Sequence, residues 1–159
     1  MATMVSLDQN QLKQDLIDTG RWIDSNRWCP ATSGNLSAWI DASQFLITVS
    51  GKGKGELTPA DLMTVDSAGN PVNTDQRPSA ETLLHSLIYS RFPSARYVFH
   101  THSIYGTLLS RAVWSGEITF RNYELQKAFA GIDTHDVEFK VPVFGNSQDM
   151  VTLAKEIEA

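Results

Sequence analysis

Leu36-Ser37-Ala38-Trp39-Ile40-Asp41-Ala42-Ser43-Gln44-Phe45-Leu46-Ile47-Thr48-Val49 reads as two strands, 36–40 and 45–49, around a turn at Asp41-Ala42-Ser43. A connection this short joins antiparallel strands, because parallel neighbours need a crossover. Upstream, Leu12, Leu16, Gly20 and Ile23 recur at helical spacing. They predict an amphipathic helix that starts at a capping box over 6–9 and ends near Asn26. The turn-rich segment 29–35 then leads into the hairpin.

Downstream, 50–55 (SGKGKG) is a loop that fails the phosphate-loop pattern G-x-x-x-x-G-K-[ST]. Residues 57–62 predict one helical turn with Thr58 as cap and Pro59 first. Residues 63–65 and 71–72 predict a further short hairpin around Ala68-Gly69-Asn70. Pro78-Ser79-Ala80-Glu81 opens a second helix, which keeps its period through Arg91 and stops before Pro93. Tyr97-Val98-Phe99 then reads as a strand that ends in His100-Thr101-His102. Helices are predicted over 103–111, 124–130 and 149–158, and a late strand over 137–144. Hairpins mixed with helices predict an α/β fold with a largely antiparallel sheet covered by helices. Tyr105, Leu108 and Leu109 are packing candidates, and Trp22, Trp28, Trp39 and Trp114 are expected in a core or interface.

The chain has 159 residues, enough for one domain with its own core. Its net charge of −5 argues against a nucleic-acid partner, though a small phosphorylated substrate needs only local donors. Cys29 is the only cysteine, so no internal disulfide forms and a cytoplasmic location is expected. No apolar run approaches transmembrane length, so no membrane partner is expected.

His100 and His102 stand at i and i+2 of a strand, which aims both imidazoles to one face. Two neutral imidazoles make half of a tetrahedral zinc site. Gly34-Asn35, Ser50-Gly51 and Ser79 stand at loop and helix starts, where backbone N–H groups, a hydroxyl or an amide can meet a phosphate. Taken singly, each reads first as an ordinary turn or cap residue. Glu81 fits a helix-dipole carboxylate or a carboxylate at the metal pocket. Glu124 fits the same dipole role or a general acid/base. His85 is expected as a partly exposed or core histidine, His135 as solvated, and Cys29 as a packed side chain. Lys52 and Lys54 are expected in a solvated loop, with anion steering as the alternative.

Taken together, CPATSGNLS at 29–37, ITVSGKGKGELTPADL at 47–62, RPSAE at 77–81 and HTHS at 100–103 resemble the class II aldolase and adducin family. The resemblance covers nearly the whole chain as a single domain. Asn122-Tyr123-Glu124-Leu125-Gln126-Lys127 and Asn146-Ser147-Gln148-Asp149-Met150 favour its dehydratase branch over its sugar-phosphate aldolases. The resemblance implies a three-layer α/β/α sandwich around a mainly antiparallel sheet, assembled as a homotetramer. It also implies one Zn2+ per subunit, held by His100 and His102. Gly34, Asn35, Ser50, Gly51 and Ser79 would bind phosphate, Glu81 would be the metal-site carboxylate, and Glu124 the acid/base. The family's third zinc histidine lies in a later G-H-G segment, and the chain is expected to be truncated before it. Water, Glu81 or a neighbouring subunit would then complete a weaker zinc shell.

The expected activity is dehydration of 5-methylthioribulose 1-phosphate to 5-methylthio-2,3-dioxopentyl phosphate in methionine salvage. The alternatives are another sugar-phosphate aldolase or epimerase of the family, or a non-catalytic, adducin-like interaction module.

Overall fold

The computed structural model describes residues 8–113 and 116–159. They divide into two compact units, the first within Met1–Ile104 and Ser147–Ala159, the second Tyr105–Asn146. Helix α1 (Gln9–Ser25) is capped by Asp8, whose Oδ1 accepts from Asn10 N at 3.0 Å. Its start is therefore at Asp8. The expected cap at Ser6, like Trp114, lies outside the described residues.

The first unit is built on strands β1 (Asn35–Asp41), β2 (Gln44–Thr48), β3 (Leu62–Asp66) and β4 (Tyr97–His100). They lie in the order β3-β2-β1-β4, with every pair antiparallel. Strand alternation gives the sheet two different faces. Leu36, Ala38, Ile40, Leu46 and Leu62 pack against Leu12, Leu16, Ile17 and Ile23 of α1. Phe45, Ile47, Met63 and Val65 form the opposite face, with Tyr89 of α2 (Thr82–Arg91) against them. Burying each of these large side chains stabilises the fold by about 1.5–3 kcal/mol, so both helix layers are held mainly by apolar contact. Helix α4 (Met150–Glu158) lies beside α2, where Arg91 pairs with Glu158. This is the α/β/α arrangement around an antiparallel sheet that the resemblance implies.

One local expectation in this unit differs from the structure. The hairpin at 63–72 shrinks to an isolated bridge between Val65 and Pro71, and β3 pairs with β2 instead. Pro71 has no N–H with which to extend a ladder. The helical turn expected at 57–62 is present as a 3-10 turn, Pro59–Asp61, with Thr58 as its cap and Pro59 first, after another at Lys54–Glu56. Thr58 N and Oγ1 donate to Asp61 Oδ2 at 3.0 and 2.7 Å, and Lys52 Nζ lies 2.8 Å from Asp61 Oδ1.

The Lys52 hydrogen bond first, and Thr58 next, pull the Asp61 carboxyl from 3.8 down to about 2. A folded pKa below the unfolded one adds stability that is complete above pH 4 or so and is lost as pH falls toward about 2. Asp61→Asn is expected to destabilise the chain at pH 7 and much less at pH 2.5. Urea unfolding at both pH values measures this, and an equal loss at both removes the charge from the account.

The second unit is described by itself. Strands β5 (Glu117–Arg121) and β6 (Glu138–Pro142) pair antiparallel, from Glu117 opposite Pro142 to Arg121 opposite Glu138. The expected late strand is β6, but its partner β5 is short, charged at both ends and was not anticipated. Helix α3 (Ile104–Ala112) corresponds to the helix predicted at 103–111. Its expected packing residues Tyr105, Leu108 and Leu109 are exposed, Tyr105 at 85%. The helix predicted at 124–130 is a 3-10 turn, Glu124–Ala128. Gln126 turns inward and caps its start, with Nε2 donating to Val137 O at 2.9 Å and Oε1 accepting from Tyr123 N at 2.9 Å. No helix among the described residues is long and apolar enough to cross a membrane.

Candidate functional site

The register of β1 on β4 sets Asn35 opposite His100 and Ser37 opposite Val98. Paired residues share a face, so Asn35 and His100 both turn toward the α2 side of the sheet. The His100 and His102 rings lie side by side, with centroids 4.6 Å apart and planes at 49°. The chain beyond β4 is tied back to the loop after α1, because His102 N donates to Trp28 O at 2.7 Å. Cys29, buried as expected, sits with Sγ 3.9 Å from His100 O. Burial pushes its thiol pKa up, as for a packed rather than a reactive cysteine.

Gly34 closes this corner at φ +74°, and a Cβ there would lie 2.5 Å from Cys29 Sγ and 2.6 Å from His100 O. Gly34→Ala is expected to cost about 1–2 kcal/mol from left-handed backbone alone. The two contacts add to that by pushing on the His100 strand end. An unchanged urea midpoint would contradict this account.

A cavity of 330 Å³ opens beside the histidines, and Gly34, Ser50, Gly51, Ser79, Glu81 and His102 stand in its wall. Two distant loops meet there for a backbone reason. Val49 bridges to Pro78, and Ser50 N donates to Arg77 O at 3.0 Å. Glu81 is the N-cap residue of α2, one position earlier than a first-turn residue. Its Oε2 accepts from Asn35 Nδ2 at 2.7 Å and from Ser79 Oγ at 3.3 Å. Among the described residues, no hydrogen bond reaches Oε1.

Asn35 is oriented differently from the phosphate donor expected of it. It is the first residue of β1, 1% exposed, and its side chain is committed inside the protein. Nδ2 serves Glu81 and lies 3.3 Å from His100 Nδ1, while Oδ1 accepts from His85 Nε2. Lys54 departs further from expectation. It is buried, and its Nζ donates to Lys52 O at 2.6 Å and Thr32 O at 3.3 Å, joining the loops on two sides of the cavity. Burial lowers its pKa. Lys52 stays exposed, as expected of the loop, and pairs there with Asp61.

His85 is a core histidine, one of the two places expected for it, and with Ser37 and Tyr89, which were not among the candidates, it backs the site. His85 is 1% exposed, with Nδ1 2.6 Å from Ser37 Oγ, which lies 2.8 Å from Tyr89 OH. Burial, then the charge of His100, pushes the His85 pKa down to about 3, so the ring is neutral across the physiological range. A signal was present in the sequence: Asn35 and Ser37 are polar on alternate positions of β1, and His85 and Tyr89 stand one helical turn apart.

For a metal, His100 and His102 supply two imidazoles. Burial first, then His102, lowers the His100 pKa, which keeps its ring neutral as a ligand must be. The chemistry of this pair fits zinc. Among the described residues, no group of three or more His, Cys, Asp or Glu side chains gathers closely enough to hold an ion alone. Glu124 belongs to the second unit. Its exposed carboxylate pairs with Lys127 and lies 3.2 Å from His135 Nδ1, so His135 has a partner besides solvent. The Lys127 hydrogen bond holds the Glu124 pKa low.

Residues 14–159 match the Class II Aldolase and Adducin N-terminal domain. A Methylococcus capsulatus protein named methylthioribulose-1-phosphate dehydratase is 54% identical over 144 residues, covering 91% of this chain and 70% of its own length. One of the same name from Pseudomonas syringae pv. syringae is 45% identical over 152 residues, covering 96% and 74%. Among solved structures, l-fuculose-1-phosphate aldolase from Thermus thermophilus superposes with a TM-score of 0.71 at 25% identity, covering 95% of this chain and 71% of that one. An aldolase II superfamily protein from Pseudomonas syringae gives 0.60 at 26% identity, covering 67% and 45%.

Proposed function

The chain belongs to the class II aldolase and adducin family, and we propose that it is a zinc-dependent dehydratase acting on 5-methylthioribulose 1-phosphate. The product is 5-methylthio-2,3-dioxopentyl phosphate, a step of methionine salvage. We place the enzyme in the cytoplasm as a homotetramer. The observation that carries this reading is one cavity wall shared by Gly34, Ser50, Gly51, Ser79, Glu81 and His102. Phosphate donors, a carboxylate and a metal-type imidazole there serve a small phosphorylated ketose. The relatives' shared name supplies the particular ketose.

Held by His100 and His102, with water, Glu81 or a neighbouring subunit completing its shell, zinc would supply Lewis-acid polarisation of the C2 carbonyl. The protein's own groups do the rest. Backbone N–H donors at Gly34, Gly51 and Ser79 and the Ser50 hydroxyl grip the phosphate and orient the ketose. Asn35 holds Glu81 in place and leaves the phosphate to these four. Glu81 takes the C3 proton at Oε1, the oxygen that Asn35 and Ser79 leave alone. Glu124 gives a proton to the C4 hydroxyl, which leaves as water. The resulting enol ketonises to the diketone. An exposed carboxyl is ionised at neutral pH, and Lys127 favours that form further, so Glu124 must gain a proton before that hydroxyl departs.

The test supplies zinc-loaded protein with methylthioribulose 1-phosphate, fuculose 1-phosphate and ribulose 5-phosphate in parallel. Diketone formation from the first alone is expected. Cleavage of fuculose phosphate without dehydration moves the chain to the aldolase reading. Turnover of none of them favours a non-catalytic interaction module.

A further inference from the structure

We propose that Tyr89, Ser37 and His85 form a buried relay that fixes the Asn35 amide and, through it, the aim of Glu81. His85 is thereby a positioning residue for the base. This inference rests on the reading of Glu81 given above.

The direction of every bond follows from one end. A carboxylate oxygen only accepts, so the Asn35 atom 2.7 Å from Glu81 Oε2 is the amide nitrogen. That turns Asn35 Oδ1 toward His85, and a carbonyl oxygen also only accepts. His85 must therefore carry its proton on Nε2. A neutral ring protonated there accepts at Nδ1, so the Ser37 hydroxyl donates to it at 2.6 Å. The remaining lone pairs of Ser37 Oγ take the Tyr89 hydroxyl proton at 2.8 Å. Donation runs Tyr89 to Ser37 to His85 to Asn35 to Glu81, with no step reversed.

The same chain read backward explains why it matters. An asparagine amide has two orientations of nearly equal shape. The flipped one would set Oδ1 against the Glu81 carboxylate, and His85 Nε2–H against an NH2 group. Ser37, by donating to His85 Nδ1, selects the tautomer that rejects the flip. Ser37 and Asn35 are 0% and 1% exposed and His85 1%, so water cannot stand in for a lost member. Asn35 and Ser79 both bond Oε2, which leaves Oε1 as the oxygen turned to chemistry.

The test uses the full chain with 15N-labelled histidine and 13C-labelled glutamate, first without metal. The wild type is expected to show His85 as the neutral Nε2–H tautomer at pH 7. Ser37→Ala should convert His85 to a mixture of tautomers and shift the Glu81 carboxyl carbon signal at fixed pH. Tyr89→Phe, which keeps the ring in the core, should move both signals the same way by less. In the zinc-loaded protein, Ser37→Ala should lower kcat by about 10–100-fold, with KM within twofold of wild type. His85 as the Nδ1–H tautomer in the wild type overturns the relay, as does a Glu81 signal unmoved in both folded variants. A wild type that turns over none of the ketose phosphates sinks the functional reading, while the metal-free spectra still decide the relay.

Discussion

Glu124→Gln is expected to lower turnover of methylthioribulose phosphate by about 10²–10⁴-fold, the usual worth of a positioned general acid or base. An amide keeps the shape of the carboxyl group and loses only its proton chemistry. KM and zinc content should therefore stay near the wild-type values. Stability should also change little. The Glu124 side chain is 70% exposed, and its pairs with Lys127 and His135 lie at the surface, where ion pairs contribute little. Because Lys127 depresses the Glu124 pKa, its stability contribution exists at neutral pH and fades as pH falls through that lowered value. Steady-state kinetics at saturating substrate give the answer. Turnover within a few fold of wild type would remove Glu124 from the mechanism.

His102→Ala is expected to weaken zinc binding by more than the about 10–100-fold that follows loss of an outer partner, because it deletes one of the two imidazoles assigned to the metal. His102 is the cleaner of the two histidines to remove. It stands in the cavity wall and is exposed, whereas His100 is tied to Asn35. Its anchoring bond to Trp28 O comes from the backbone N–H and survives the change. Urea unfolding of the metal-free variant should match wild type, while competition against a chelator should show the lost affinity. Unchanged affinity with an unchanged fold would move the metal away from this pair.

Much of this architecture is local and so was readable from residue order. The 36–49 hairpin follows from two apolar runs and a short turn, which the structure confines to Ala42 and Ser43, and α1 from its helical spacing. The His100–His102 pairing is a property of two residues in one short segment, where the period of a strand does the aiming. The short strand β5 had no comparable apolar run, and its pairing with β6 lies across 17 or more residues.

The site's inner structure could not be read that way. His85, Ser37 and Tyr89 meet across sequence separations of 48 and 52 residues. Whether they meet depends on the register of β1 and on the roll of α2 over the sheet. Lys54 looked like a loop lysine, and only the packing of two loops around its Nζ buried it. Asn35 had the right chemistry for a phosphate, and only the position of His85 and Glu81 turned its amide inward. Sequence by itself determined which residue types could do chemistry and which local periods they follow, because backbone periodicity acts over a few residues. Tertiary structure alone decided which atom faces which, because a buried polar group takes its partner from whatever the packed fold brings within hydrogen-bond reach.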